Sequence, residues 1–380
     1  MFVDQVERLI SYHDTWISLD PLRGCPYRCV YCVLRHYEGT GVLPKAIASP
    51  KECVDRLLEY RFFVRSQTPV AVGNETDIFH PRNFDYLVEL LTEMSAAKIE
   101  NPIVLVTKAP LSNKMMQRVR GVAGLRIVLF LSYSGLGRQL EPNFTDEQLR
   151  LNFHVAKAAG FPVVHYWRPL LPQNTTPAAV QKMLSFVSSI ADATVFIGLK
   201  LHPELTQIIT QGDVLTVPPE LRDHTGEWLA AETVMRIYRE AGRICPNYPL
   251  YRHSACAVAC VLSQPNHTGT IYRQDICPPS HCPAAQRSIC EDARRIPTDA
   301  EITKILSILG RPIGFERQVD RVILTSEVTQ EEFAFLLHNL RCPLEVEAVK
   351  MQNLYHGSIY EGQRKLGITP PALLIRDQFL

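Results

Sequence analysis

Arg23-Gly24-Cys25-Pro26-Tyr27-Arg28-Cys29-Val30-Tyr31-Cys32 decides how this chain is read. Three cysteines stand at C-x3-C-x2-C on one short loop. Three thiolates so placed can hold three irons of a [4Fe–4S] cube and leave the fourth iron open to a substrate or cofactor. Electron-carrying ferredoxins use four cysteines, so a set of three is a statement about chemistry. Two blander readings compete. One is a zinc loop, for which His36 is the only further ligand close by. The other is three buried free thiols.

Working outward, Thr15–Leu19 reads as a strand that feeds directly into the loop. Ser49-Pro50-Lys51-Glu52 reads as a helix start, with an N-cap, a proline at the first helical position and an acidic first turn. That helix is expected to run to about Arg65. Short apolar runs then alternate with amphipathic helices. Strands are expected at 70–72, 103–106, 127–131, 162–166 and 193–197, and helices at 82–98, 112–120, 145–160 and 176–191. Short β-branched runs separated by helices mean a parallel sheet covered on both faces. The fold class is α/β, a partial (β/α)6 TIM-type barrel with a Cys-rich α+β C-terminal extension. In such barrels chemistry sits on loops at the C-terminal ends of strands, which is where the three-cysteine loop falls.

The other strand ends carry polar groups: Asn74-Glu75-Thr76-Asp77 after the second strand, Thr107-Lys108 after the third, Ser132-Tyr133-Ser134 after the fourth and Arg168-Pro169 after the fifth. Lys200 and His202 follow the sixth. Each alone reads as a cap or a solvated loop residue. Together on one barrel face they read as a site.

C-x3-C-x-aromatic-C is the signature of radical S-adenosylmethionine (SAM) enzymes, and the chain resembles that superfamily. Several motifs bring it close to the spore photoproduct lyase, or DNA repair photolyase-like, branch: T-D-x-x-x-P at Thr76–Pro81, T-K-x-x-L at Thr107–Leu111, Glu141-Pro142 with Arg150-Leu151, Ala159-Gly160-Phe161-Pro162-Val163, and Pro169-Leu170-Leu171-Pro172. The match covers roughly residues 15–200. The resemblance implies a [4Fe–4S] cluster on Cys25, Cys29 and Cys32 as metal ligands and catalytic residues, with SAM on the open iron. It implies Tyr31 against the adenine. Asn74, Glu75 and Thr76 would line the SAM amino end, Lys108 and Ser132 would meet the carboxylate or ribose, and Arg168 would close the far side. It implies an electron donor such as flavodoxin or ferredoxin and a cytoplasmic setting. In that branch, tyrosines flank the third cysteine and a hydrogen-donor cysteine lies further on in the barrel. Here Val33 follows Cys32 and no cysteine lies between Cys53 and Cys245, so the lyase reaction on thymine dimers is not expected.

Composition agrees with an enzyme of this kind. The chain has 380 residues and 46% hydrophobic content, enough for a barrel-sized core and a smaller unit. Lys+Arg of 40 against Asp+Glu of 39 exerts no global pull on nucleic acid. No apolar run is long enough to span a membrane, and MFVDQVERLI lacks the basic start of a signal peptide. Eleven cysteines without an export signal point to metal ligands rather than disulfides.

Three units are expected: a barrel over 1–225, a Cys-rich segment over 226–297 and a small α+β unit over 298–380. The second unit should begin with a helix over about 226–242, with Trp228 and Leu229 on its apolar side. Its cysteines are the second concentration in the chain. Cys256 and Cys260 can share one helix face, and Cys277, Cys282 and Cys290 sit on a Pro-rich loop. With Cys245, His253 and His281 as further candidates, they could bind an auxiliary [4Fe–4S] cluster or a zinc ion and close the open side of the barrel. Buried thiols packed around a loop are the alternative. In the tail, helices are expected over 299–309 and from Thr329 to about Leu340, strands over 322–324 and 344–349, and a turn or substrate loop at Tyr355–Tyr360.

Three functional readings follow. The first is radical SAM chemistry on a nucleobase, nucleotide or nucleic acid. The second is the same chemistry on a small molecule or peptide. The third, from another class, is a metal-stabilised nucleic-acid-binding module that uses the 245–290 cysteines as a finger and needs no SAM.

Overall fold

The structure, a computed structural model, describes residues 9–12, 15–201, 203–210, 226–268 and 281–346; the side chains of 36, 37, 226, 231 and 330 fall outside that description. Cys277, His202, the His36 side chain and the Tyr355–Tyr360 loop therefore lie outside the described residues, as does most of the expected boundary at 203–225.

β1 (Ile10–Tyr12) and β2 (Ile17–Leu19) form the first edge of the sheet, and the ribbon of β3 (Leu22–Arg23) and β4 (Lys45–Ala46) brackets the three-cysteine loop. A βα repeat follows: α1 (Pro50–Glu59), β5 (Val70–Val72), α2 (Phe84–Ala96), β6 (Pro102–Thr107), α3 (Asn113–Arg120), β7 (Arg126–Ser132), α4 (Asp146–Ala158), β8 (Val163–Leu170), α5 (Pro177–Val187) and β9 (Ala193–Leu201). Local chemistry starts these helices. The Ser49 hydroxyl accepts from Glu52 N at the head of α1, and Thr145 with Gln148 makes a reciprocal capping box at the head of α4. The first helix ends at Glu59, earlier than expected, and the last two strands run several residues longer.

The strand order is β1-β2-β5-β6-β7-β8-β9-β10. The six strands from β2 to β9 are parallel and in register, Leu19 opposite Val72, Val72 opposite Leu105, and Leu105 opposite Leu129. The sheet curls into part of a barrel. Alternate residues decide its two faces. Ile17, Val70, Ile103, Leu129 and Val163 face the helices and build the larger core, while Ala71, Val104, Val128, Phe130, Val164 and Val195 build a separate inner core.

The chain continues through α6 (Pro203–Thr210), β10 (Gly226–Trp228), α7 (Ala231–Ile244), β11 (Leu250–Tyr251), α8 (Ser254–Val261) and α9 (Ala284–Asp292). Where one helix was expected from 226, a strand comes first. Trp228 pairs with Leu199 in an antiparallel ladder, and its carbonyl lies against Gly198, where a Cβ would collide with it. Ladder bonds offered by the open edge of β9 override the helical spacing of Trp228 and Leu229. β11 pairs parallel to the same strand, Tyr251 beside Val195. The sheet therefore runs on through the expected 225/226 boundary. α8 then enters the concave side, where Ala257 and Val258 join the inner core.

A last unit holds α10 (Asp299–Ser307), β12 (Phe315–Arg317), β13 (Val322–Leu324), α11 (Gln330–Leu340) and β14 (Leu344–Val346), with a three-stranded sheet ordered β12-β13-β14. It docks on the β1 edge, where the Tyr12 hydroxyl lies 2.8 Å from His338 Nδ1 and 3.3 Å from Thr68 Oγ1. No helix among the described residues is long and apolar enough to cross a membrane.

Candidate active site

The three-cysteine loop is held from several sides. Gly24 sits at φ +91°, a conformation L-residues rarely adopt, and a Cβ there would meet Val42 Cγ2 at 2.8 Å. Cys25 N donates to the Gly39 carbonyl at 2.7 Å, and Val42 N donates back to the Cys25 carbonyl at 3.2 Å. Across the barrel mouth, Val30 N donates to the Leu140 carbonyl and Arg28 N to Asn143 Oδ1. The Tyr27 ring packs 4.5 Å from Phe144. Cys25, Cys29 and Cys32 are each partly exposed at this mouth.

Burial pushes the Cys25 thiol up to about 12 and Cys29 up to about 11, and raises Cys32 as well. Cys25 is further raised by Asp77 and by its two neighbouring thiols, whereas Lys108 works in the opposite direction on Cys29. Without a metal these thiols stay neutral. Three close thiols aimed at one mouth, with cations beside them, form a donor set that fits a [4Fe–4S] cube. Among the described residues, no group of three or more His, Cys, Asp or Glu side chains is already placed to hold a metal ion.

The strand-end residues divide into braces and mouth groups. Thr76 Oγ1 donates to the Gly24 carbonyl at 2.7 Å and accepts from Asn83, so Thr76 ties β5 to the cysteine loop. Asn74 donates to Ser18 Oγ at 2.7 Å, and Glu75 pairs with Arg23 at 2.6 Å. Burial, with Asp20 alongside and Arg23 opposing, raises Glu75 to about 7. Asp20, raised by burial to about 6 against the pull of Arg23, also accepts from Glu75 N.

Lys108 follows β6 on the inner face, and its ammonium meets both the Tyr31 hydroxyl and Glu141 Oε1; the Tyr31 hydroxyl donates to the same carboxylate oxygen. Glu141 is 1% exposed. Burial alone would lower Lys108, but Glu141 and Cys29 outweigh it and hold the ammonium above the ordinary lysine value. Arg168, on β8, donates to the Tyr166 hydroxyl at 3.1 Å and places its guanidinium 4.9 Å from that ring. Ser132 ends β7 opposite Tyr166 in the ladder. Tyr31, Lys108, Ser132 and Arg168 thus gather at the mouth with the cysteines, while Asn74, Glu75 and Thr76 engage the first strand and the loop beneath it.

Two contributors, Glu141 and Asp77, were given no role toward cluster or SAM from sequence. Glu141 was visible only as part of an E-P motif; its partnership with Tyr31 spans 110 positions. Asp77 accepts from Thr107 Oγ1 at 2.7 Å and from the backbone N–H groups of Lys108, Ala109 and Phe79 at 2.8, 2.9 and 3.1 Å. It fixes the turn that delivers Lys108. The T-D and T-K motifs carry that signal as a pair.

The second cysteine group lies lower in the barrel. Cys256 and Cys260 share α8, Cys282 and Cys290 flank and enter α9, and all four are partly exposed. Cys245 ends α7 and is buried in the outer core. His281 stacks on Tyr238 with centroids 5.1 Å apart and its Nε2 lies 3.2 Å from the Tyr238 carbonyl.

No family model and no characterised protein sequence matches the chain. Solved structures do match. A variant of spore photoproduct lyase with bound AdoMet and dinucleoside spore photoproduct is similar at TM-score 0.52 and 13% identity, over 65% of this chain and 80% of that one. Spore photoproduct lyase complexed with dinucleoside spore photoproduct is similar at TM-score 0.51 and 13% identity over the same shares. The chain has a partial-barrel fold of the form seen in that lyase.

Proposed function

We propose that this chain, built on the fold of spore photoproduct lyase, is a radical SAM enzyme in which Cys25, Cys29 and Cys32 hold a [4Fe–4S] cluster. When bound, cluster and SAM supply a one-electron cleavage to methionine and a 5′-deoxyadenosyl radical, which takes hydrogen from the substrate. The observation that carries the reading is the placement of three thiols of one loop above Lys108 and Arg168, on the inner face at the strand C-terminal ends.

The chain's own residues then have distinct tasks. Lys108 presents a compact positive charge to a carboxylate, and Arg168 presents a planar one. Glu141 holds Lys108 and Tyr31 in place before any ligand arrives. Tyr31 lies where an adenine can stack. Thr76 and Asn83 fix the loop height, and Asp77 fixes the lysine. Leu140, Leu171, Leu199 and Leu205, with Val30 and Val33 against them, form an apolar cluster beside the loop that keeps water from one side of the mouth. Electrons come from a flavodoxin- or ferredoxin-type donor in the cytoplasm, where the thiols stay reduced.

The substrate we favour is a nucleobase or nucleotide, free or in nucleic acid, in line with the ligand of the similar structures. The parallel strands β2 and β5 to β9 carry no cysteine, which favours a hydrogen-transfer route different from one that uses a strand thiol. A small molecule or peptide in the same mouth is the second reading. Anaerobic reconstitution, dithionite and SAM should yield 5′-deoxyadenosine. A cluster that forms without ever cleaving SAM, with Cys29→Ala behaving like the parent chain, would sink the proposal.

A further inference from the structure

Val42, Leu43 and Ile47, on either side of β4, are 41%, 56% and 43% exposed. The other strongly exposed large apolar side chains among the described residues, Leu151, Ile308 and Val319, lie singly on three other segments. A single exposed apolar side chain is ordinary. A group of them on one short segment marks a surface that a partner covers.

This segment runs along the three-cysteine loop. Gly41 N donates to the Tyr27 carbonyl at 3.0 Å, Val42 N to the Cys25 carbonyl at 3.2 Å and Ile47 N to the Pro21 carbonyl at 2.9 Å. Val42 Cγ2 fills the space that a Cβ on Gly24 would take, and Lys45 pairs opposite Arg23 in the β3–β4 ribbon. Val42 touches the loop and is itself exposed, so one residue separates the Cys25 backbone from solvent here. Lys108 and Arg168 act on Cys29 and Cys32 from within the mouth. A second protein can therefore come close to the cysteines at Val42 without entering the mouth.

The rim of the patch is cationic. The Arg28 side chain lies over Gly41, its Nε 2.7 Å from where a Cβ would stand, and so flanks Val42. Lys45 is exposed between Leu43 and Ile47. From Arg23 to Ala48 the chain carries Arg23, Arg28, Arg35 and Lys45, with Glu38 as its one acid. Arg23 is taken by Glu75, whereas Arg28 and Lys45 are in no ion pair among the described residues. The neighbouring charges on α1 cancel one another, Lys51 with Asp55 and Arg56 with Glu52. An apolar centre rimmed by unpaired cations suits an acidic protein partner. A nucleic acid suits it less, because contacts to a phosphate backbone would leave the three apolar side chains unused.

We propose that Val42, Leu43 and Ile47, rimmed by Arg28 and Lys45, form the docking surface for an acidic one-electron carrier protein. The inference rests on the reading of the mouth as a cluster site and names where that site is reduced. The cations steer the carrier's approach, and the apolar side chains exclude water at the contact beside Cys25. One electron leaves the carrier's reduced flavin and enters the oxidised cluster. The carrier is oxidised by one electron, the cluster is reduced by one, and no bond or proton moves.

The test uses the full chain, an acidic flavodoxin as probe, and Leu43→Asp combined with Lys45→Glu, two changes at exposed side chains. Binding is read by calorimetry, which requires no SAM cleavage. The parent should bind the flavodoxin, and more weakly as salt rises. The double variant should bind about tenfold more weakly or worse, and Lys45→Arg, which keeps the charge, should bind like the parent. Flavodoxin-driven 5′-deoxyadenosine formation should fall with binding, while dithionite-driven formation stays at the parent's level. A parent that binds no flavodoxin overturns the proposal, as does a double variant that binds it like the parent. A single-stranded oligonucleotide released by the double variant while the flavodoxin is retained overturns it in favour of nucleic acid. A dimeric parent and a monomeric double variant overturn it in favour of a second copy. If the parent never cleaves SAM, even with dithionite, yet only the double variant loses the flavodoxin, the SAM reading falls and the surface stands.

Discussion

The two cysteine groups occupy opposite ends of one barrel, and their surroundings differ in kind. At the mouth, three thiols share one loop and face cations, Lys108 and Arg168, that are partly buried and already engaged with Glu141 and Tyr166. Below, Cys256 and Cys260 on α8, Cys282 just before α9 and Cys290 within it have neutral donors nearby, Asn266, Tyr251 and Gln286. Charged groups beside an incomplete ligand set prepare a place for a charged ligand. Neutral donors beside a thiol only stabilise its sulfur. On the proposed function, the difference marks the mouth as the end that reacts.

The sharpest break of that contrast is Cys32→Ala. It should take 5′-deoxyadenosine formation to background while leaving the fold around the lower thiols in place, read by product analysis and urea unfolding on one sample. Loss of both signals together would mean the two groups are not separate.

Next in size is Lys108→Ala. It leaves Glu141 buried with the Tyr31 hydroxyl as its remaining donor, and stranding a buried charge costs about 3–5 kcal/mol. Urea unfolding should show that loss, and SAM binding should weaken with it. A change under about 1 kcal/mol would mean that the ion pair is readily replaced by water or a proton.

Acid should separate the ends with opposite signs. Burial lowers His267 from 6.5 to about 4, with nearby Arg341 adding to the effect against its bond to the Thr15 carbonyl. The stability this neutral ring allows is fully present above pH 6.5 and is lost as pH falls toward 4, in all about 3 kcal/mol. Buried His165, also lowered to about 4, adds a similar loss for the sheet as a whole. Asp20 and Glu75 run the other way. Their folded values of about 6 and 7 lie above the ordinary carboxylate range, so stability is gained as pH falls through them and is lost again as pH rises. Between pH 7 and 5, hydrogen exchange should quicken around His267 and the docked α11 before it does in the β5–α2 turn. The reverse order would sink this assignment.

The smallest effect belongs to Thr76→Val, which deletes the bond to the Gly24 carbonyl and leaves Asn83 one acceptor short. We expect a loss of about 1 kcal/mol of stability and a measurable drop in iron retained at the mouth.

The order of the elements that frame the mouth was legible in the sequence. The covalent spacing of Cys25, Cys29 and Cys32 puts three thiols on one loop whatever the rest of the chain does. Strand and helix periodicity orders the βα units, and that order places Lys108, Ser132 and Arg168 at successive strand ends. These are local properties, carried by neighbours in sequence. The tertiary structure decided what is set by distance and by competition for faces. Glu141 reaches Tyr31 and Lys108 only because the loop after β7 folds over the cysteine loop. Trp228 becomes a strand residue because β9 offers an unpaired edge at Gly198. α8 enters the barrel because a sheet covered by helices on its convex side leaves an apolar concave side that something must fill, and Ala257 and Val258 fit it. That burial, rather than any spacing pattern, brings Cys260 and Cys282 to the Tyr251 hydroxyl.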